Sequence, residues 1–136
     1  MKPRVRMRKL RREALVLLLF WVSAIRLFPS RKILAWAARP PRDPKRFADP
    51  ELPVQVGAAV APWAARFGLS APCLPTALVA QSMLRRRGVA SALCLGVRRE
   101  TSALAAHAWL EIDHKVVFGA TDVAYSRIAE YGGVKP

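Results

Sequence analysis

From Leu74 to Leu84 the chain is apolar almost all the way round a helix. A helix without a polar face must be buried on every side, so the rest of a small chain has to wrap it. Punctuation marks both ends. Pro72 turns its neighbour away from helical geometry, and Pro75 suits a first helical turn, where its missing N–H costs nothing. Arg85, Arg86 and Arg87 complement the negative helix end, and Gly88 is a natural stop. Cys73 opens this segment. The start of a buried helix favours the thiolate form of a cysteine. The competing use is packing, because a free cysteine is commonly a small buried hydrophobe.

A base within reach would separate the two uses. The chain has 2 histidines. His107 lies in a strand-like run, Leu104 to Ile112, and His114 in the tight connection Asp113-His114 before a third strand, Lys115 to Phe118. A first strand spans Val89 to Val97, with a polar turn at Arg98 to Ser102. Strand side chains alternate, so His107, Trp109 and Glu111 share one face. Ala106, Ala108, Leu110 and Ile112 share the other, which should pack on the helices. Helices followed by an antiparallel meander make an α+β fold. A cysteine at a helix start with a histidine on a downstream strand is the arrangement of papain-like and transglutaminase-like cysteine enzymes.

Charge divides the chain. Of its net +14, residues 1–46 carry +12, with 14 Lys and Arg against Glu13 and Asp43. The basic excess thus belongs to the N-terminal third. Met1 to Arg12 is a basic run, and Ala14 to Ile25 an apolar block of twelve residues before Arg26. That block is shorter than the roughly 20 residues of a spanning helix. No small-residue cleavage site follows it, since Arg26-Leu27-Phe28-Pro29 is bulky. It reads as a helix that packs on the domain and docks a partner; a membrane-surface contact through residues 1–28 is the other use. No nucleic-acid recognition motif accompanies the charge, so no nucleic-acid partner is expected. Cys73 and Cys94 cannot build a disulfide framework, and no Cys/His set has metal-site spacing. No metal or cofactor is expected, Cys94 reads as packing inside a strand, and a reducing cytoplasm is the expected compartment.

Ser30 can cap a short helix, Arg31 to Ala38. Arg39 to Arg46 is a Pro-rich, charged connector and the clearest boundary. It divides a helical extension, residues 1–48, from a domain, residues 49–136. Asp49-Pro50-Glu51 then starts a helix running to about Phe67, with a kink or break expected at Pro62.

Taken together, Cys73-Leu74 opening an apolar helix, Leu84 to Gly88, Leu95-Gly96-Val97 and Ala106-His107-Ala108-Trp109-Leu110-Glu111 resemble the transglutaminase-like leader peptidase of lasso-peptide biosynthesis. The resemblance covers roughly residues 50–120, and the basic apolar N-terminal part looks like the short stand-alone members of that family. It implies a transglutaminase-like, papain-like cysteine protease fold and a peptidase that removes the leader from a ribosomally made precursor peptide. The implied partners are the precursor leader, a separate leader-recognition protein and a lasso cyclase. Cys73 matches the nucleophile and His107 the general base.

The resemblance also implies an Asp about a dozen residues after the histidine. That position falls near Gly119, so Asp122, the nearest carboxylate after the third strand, is the candidate third member. Asp122 is equally placed to cap a helix-like tail, Val123 to Tyr131, in which case a water or a backbone carbonyl would orient His107. The rival to a peptidase is a non-catalytic transglutaminase-like scaffold or binding module. Trp63 could wall the cleft, but core filling is the default for an indole.

Overall fold

The computed structural model describes residues 3–44, 49–67, 73–121 and 123–132. The element order is α1 (Pro3–Leu27), α2 (Ser30–Ala37), α3 (Glu51–Arg66), α4 (Cys73–Arg86), β1 (Ala92–Glu100), β2 (Ala103–Ile112), β3 (Lys115–Phe118) and β4 (Ser126–Gly132). The strands form one antiparallel sheet of order β3-β2-β1-β4. One face of the sheet is covered by helices, which makes the α+β architecture expected from the sequence.

Helix α4 is the centre. Every residue from Thr76 to Leu84 is buried, as a helix without a polar face requires. Around it lie Leu10, Leu18 and Trp21 of α1, Val56 and Val60 of α3, and Leu93 and Leu110 of the sheet. Two polar side chains of α4, Gln81 and Ser82, are paired inside this core. Trp21 Nε1 donates to Ser82 Oγ at 2.9 Å, and Ser82 Oγ donates to Leu78 O at 2.8 Å. Gln81 Nε2 donates to Ala37 O at 2.9 Å and to Ser91 O at 3.1 Å, tying α4 to the end of α2 and to the approach to β1. Helix α4 stops where Gly88 takes φ 79°, with Val89 N donating back to Leu84 O at 2.9 Å.

From Pro3 onward the basic run and the apolar block of the N-terminus form one helix, because Arg and Lys are as helix-compatible as the Leu-rich stretch that follows. Leu10, Ala14, Leu18, Trp21 and Ala24 give α1 a continuous buried face. Trp63 Nε1 donates to Arg11 O at 2.9 Å and its ring packs on the core, so this indole fills space between α3 and α1. Among the described residues, no helix is long and apolar enough to cross a membrane.

Several expectations are corrected. Ser30 is the first residue of α2, behind an extended Pro29, and makes no capping hydrogen bond. Asp49 does accept from Glu51 N at 3.0 Å, so it closes the start of α3 as expected. Pro62 lies inside α3 without ending it. β1 begins at Ala92 and runs to Glu100, which leaves only Thr101 and Ser102 in the turn. The tail read as helical is strand β4, paired along the free edge of β1. A nine-residue helix has little stability of its own, whereas that edge offers a ready ladder of backbone partners. The β2–β3 connection matches its reading: Asp113 and His114 both take positive φ, 50° and 64°, as a tight hairpin turn needs.

Candidate active site

Strand alternation sorts the second half of β2 as the sequence requires, whereas Ala106, expected on the packed face, is exposed. Ala108, Leu110 and Ile112 are buried against the helices, and His107, Trp109 and Glu111 face the other way. On that second face His107 is half-buried, and its Nε2 lies 2.7 Å from Gly119 O, just past the end of β3. A carbonyl oxygen can only accept, so Nε2 carries the proton. In the neutral ring Nδ1 is then the free lone pair, the atom able to take a proton. Gly119 has φ +83°, and a Cβ there would stand 3.1 Å from Ala108 O, so this backbone geometry calls for glycine.

Aromatic rings hold the imidazole on both flanks. Trp109 stacks on it at 5.9 Å between centroids and 21° between planes, and Tyr125 lies at 5.1 Å. The indole is itself fixed, since Trp109 Nε1 donates to Glu111 Oε2 at 2.8 Å and Arg127 Nη2 donates to the same oxygen at 2.5 Å. Burial alone would raise the Glu111 carboxyl. The Trp109 hydrogen bond and the Arg127 guanidinium outweigh it and hold the group below the usual carboxylate range. Gly96, paired with His107 across β1 and β2, lets this cluster close, because a Cβ there would meet the Trp109 ring at 2.7 Å. A cleft of about 240 Å³ opens beside His107, walled by Trp109, Val116, Gly119, Val123 and Tyr125.

Cys73 is the first residue of α4, half-buried, with its carbonyl accepting from Thr76 Oγ1 at 3.3 Å. The next residue, Leu74, shares a cleft with Leu95 of β1. The body of α4, however, lies against the Ala108 and Leu110 face, opposite the His107 ring. Among the described residues no hydrogen bond joins Cys73 Sγ to His107. Asp122, the candidate third member, lies outside the described residues, as does the stretch 68–72 that leads into Cys73.

Cys94 is fully buried under Trp109, and burial followed by the nearby Glu111 carboxylate pushes its thiol up to about 12, which suits the packing role read from the sequence. Tyr125 and Arg127 were not singled out in the sequence. Their position depends on β4 pairing with β1, and no local pattern announces that. Among the described residues, no group of three or more His, Cys, Asp or Glu is arranged to hold a metal ion.

A family model described as the transglutaminase-like superfamily matches residues 14–130. No curated protein and no solved structure matches the chain.

Proposed function

We propose that this chain, which belongs to the transglutaminase-like superfamily, is a cysteine peptidase that removes the leader from a ribosomally made lasso precursor peptide. The superfamily includes cysteine peptidases. The observation that carries the reading is the hydrogen bond from His107 Nε2 to Gly119 O. It occupies the position where the resemblance expects an acid, and it leaves Nδ1 as a base. In this reading Cys73 Sγ gives its proton to His107 Nδ1 and attacks the scissile carbonyl. The N–H groups at the start of α4 face the developing oxyanion. His107 then protonates the leaving amine, the C–N bond breaks, and water hydrolyses the thioester.

One observation favours the rival reading, a peptide-binding scaffold without catalysis. The His107 ring and the body of α4 lie on opposite faces of the sheet, and a working pair needs Sγ and Nδ1 within hydrogen-bond reach.

Mass spectrometry decides between them. A candidate precursor peptide is incubated with this protein, its leader-recognition partner and, in parallel, the Cys73→Ala, His107→Ala and Asp122→Ala variants. Cleavage at one bond, abolished by the first two substitutions, supports the peptidase. If Asp122→Ala cleaves at the wild-type rate, the carbonyl alone orients His107. Binding of the precursor without cleavage by the wild-type protein leaves the scaffold.

A further inference from the structure

At the other end of α4, about 20 Å from Cys73, residues 39–43 of the Pro-rich connector lie against the helix terminus and flank a second cleft of about 500 Å³. Its lining includes Arg39 and Arg42 from the connector and Arg85, Arg86 and Arg87 from α4. The geometry points to a binding site for a compact phosphate-bearing anion, such as a diphosphate, held between these two sets of guanidinium groups.

The helix terminus explains only half of the cluster. Cations at the last turn of α4 complement its free carbonyls, and Arg86 and Arg87 are further held by Glu13, at 3.2 and 2.7 Å. Arg85 Nη2 donates to Ala37 O at 3.1 Å. None of this calls for two more arginines from a separate segment. Arg39 and Arg42 have no ion pair among the described residues, and neither has Asp43, the one acid in the lining. The Arg85 guanidinium is disfavoured first by burial and then by the Arg39 charge. Like charges converging on a partly buried hollow cost free energy that a bound anion returns.

The chemistry of the lining favours phosphate. All five cations are arginines, and with both Arg87 Nη atoms already on Glu13 the uncommitted forks are those of Arg39 and Arg42, planar groups that match phosphate oxygens in pairs where lysines would act as point charges. Pro40 and the buried Pro41 stiffen the connector, so little ordering is left for the ligand to impose. The charge is concentrated in one hollow. That suits two or three negative charges on adjacent phosphorus atoms better than carboxylates spaced along a peptide. The site stands apart from Cys73 and His107 and does not depend on their function.

Non-specific attraction to a chain of charge +14 is the effect to exclude. Calorimetric titration of the full-length protein with inorganic pyrophosphate and with ADP, at about 0.15 M salt, uses two double variants of equal charge. Arg39→Gln with Arg42→Gln empties the connector side and removes no hydrogen bond or ion pair among the described residues. Arg8→Gln with Arg12→Gln removes the same charge from the exposed surface of α1. The connector variant should lose at least about tenfold in pyrophosphate affinity and the α1 variant less than about twofold. Tighter binding of ADP would assign the ligand to nucleotides, and equal binding would assign recognition to the phosphates alone; both support the site. Equal losses in the two variants, or no binding by the wild-type protein, would overturn it.

Discussion

The same substitution, glycine to alanine, should have opposite signs at two positions in this chain. At Gly96 a Cβ would lie 2.7 and 2.8 Å from two carbons of the Trp109 ring and 3.0 Å from Tyr125 Cβ. Carbon atoms rest at about 3.5–4.0 Å, so the indole must withdraw by nearly 1 Å. It is not free to do so. Its Nε1 is committed to Glu111 Oε2 at 2.8 Å, and its face is stacked on His107. Overpacking of this kind costs about 1–3 kcal/mol, and losing the Trp109–Glu111 bond adds about 1 kcal/mol. Removing a strand glycine returns only about 0.5–1 kcal/mol of backbone entropy. The steric term wins, and Gly96→Ala should destabilise the protein by about 1–3 kcal/mol.

Gly57 is the control. It lies in α3, where a Cβ would meet Phe118 Cδ2 at 3.4 Å, an ordinary contact. With no clash to offset the helix propensity, Gly57→Ala should stabilise by about 0.5–1 kcal/mol. At about 4 °C per kcal/mol for a chain of this size, the two melting temperatures should separate by roughly 6–16 °C, with the wild type between them. Thermal unfolding followed by circular dichroism reads the difference. If Gly96→Ala melts at or above the wild type, the packing of Trp109 over Gly96 is looser than described. Loss of precursor cleavage in Gly96→Ala, and its retention in Gly57→Ala, would tie the same packing to His107.

Three more outcomes follow from the site. Iodoacetamide at pH 8 should label Cys73 in the folded protein and spare Cys94, which is fully buried with its thiol pushed up to about 12; peptide mapping showing equal labelling without denaturant would refute this. Because the folded Glu111 carboxyl is held below its unfolded value, its contribution to stability is present above the ordinary glutamate range and is lost as pH falls below it. Urea midpoints should therefore drop less steeply with acid in Glu111→Gln than in the wild type, and parallel curves would sink the assignment. Gly119→Asp installs an acid where the resemblance expects one, yet φ +83° strains any side chain there and its Cβ would crowd Ala108 O at 3.1 Å. We expect a loss of about 1–3 kcal/mol and weaker cleavage, so a variant with wild-type stability and faster cleavage would show that the carbonyl is a poor substitute.

How far the fold was legible follows from which forces are local. Helix α4 could be read because its apolar surface, Pro75 and Gly88 act within its own length. The β2–β3 hairpin could be read because alternation and the Asp113-His114 turn are likewise local. Strand β4 could not. Ser126 to Gly132 has no commanding period, and its state is set by the unpaired edge of β1, some thirty residues earlier. Tyr125 and Arg127 reach the site through that pairing, so they were hidden with it. The connector arginines were hidden for a similar reason: Arg39 and Arg42 meet Arg85 only where the connector lies against the end of α4.

His107 shows a subtler limit. Its face on β2 was legible, and so was the missing acid at Gly119. What fills the gap was legible only as a choice between Asp122, a water and a backbone carbonyl, because every residue carries a carbonyl and no residue type advertises which one will be used. Gly119 looked like an absence in the sequence because it has no side chain. In the fold, that lack of a side chain permits the positive φ and the close approach to Ala108 that accompany the Gly119 carbonyl standing 2.7 Å from His107. An aspartate at this position would offer a carboxylate but would strain the backbone that presents the carbonyl. The two ways of orienting the imidazole therefore exclude one another here, and the glycine is the residue the second way requires.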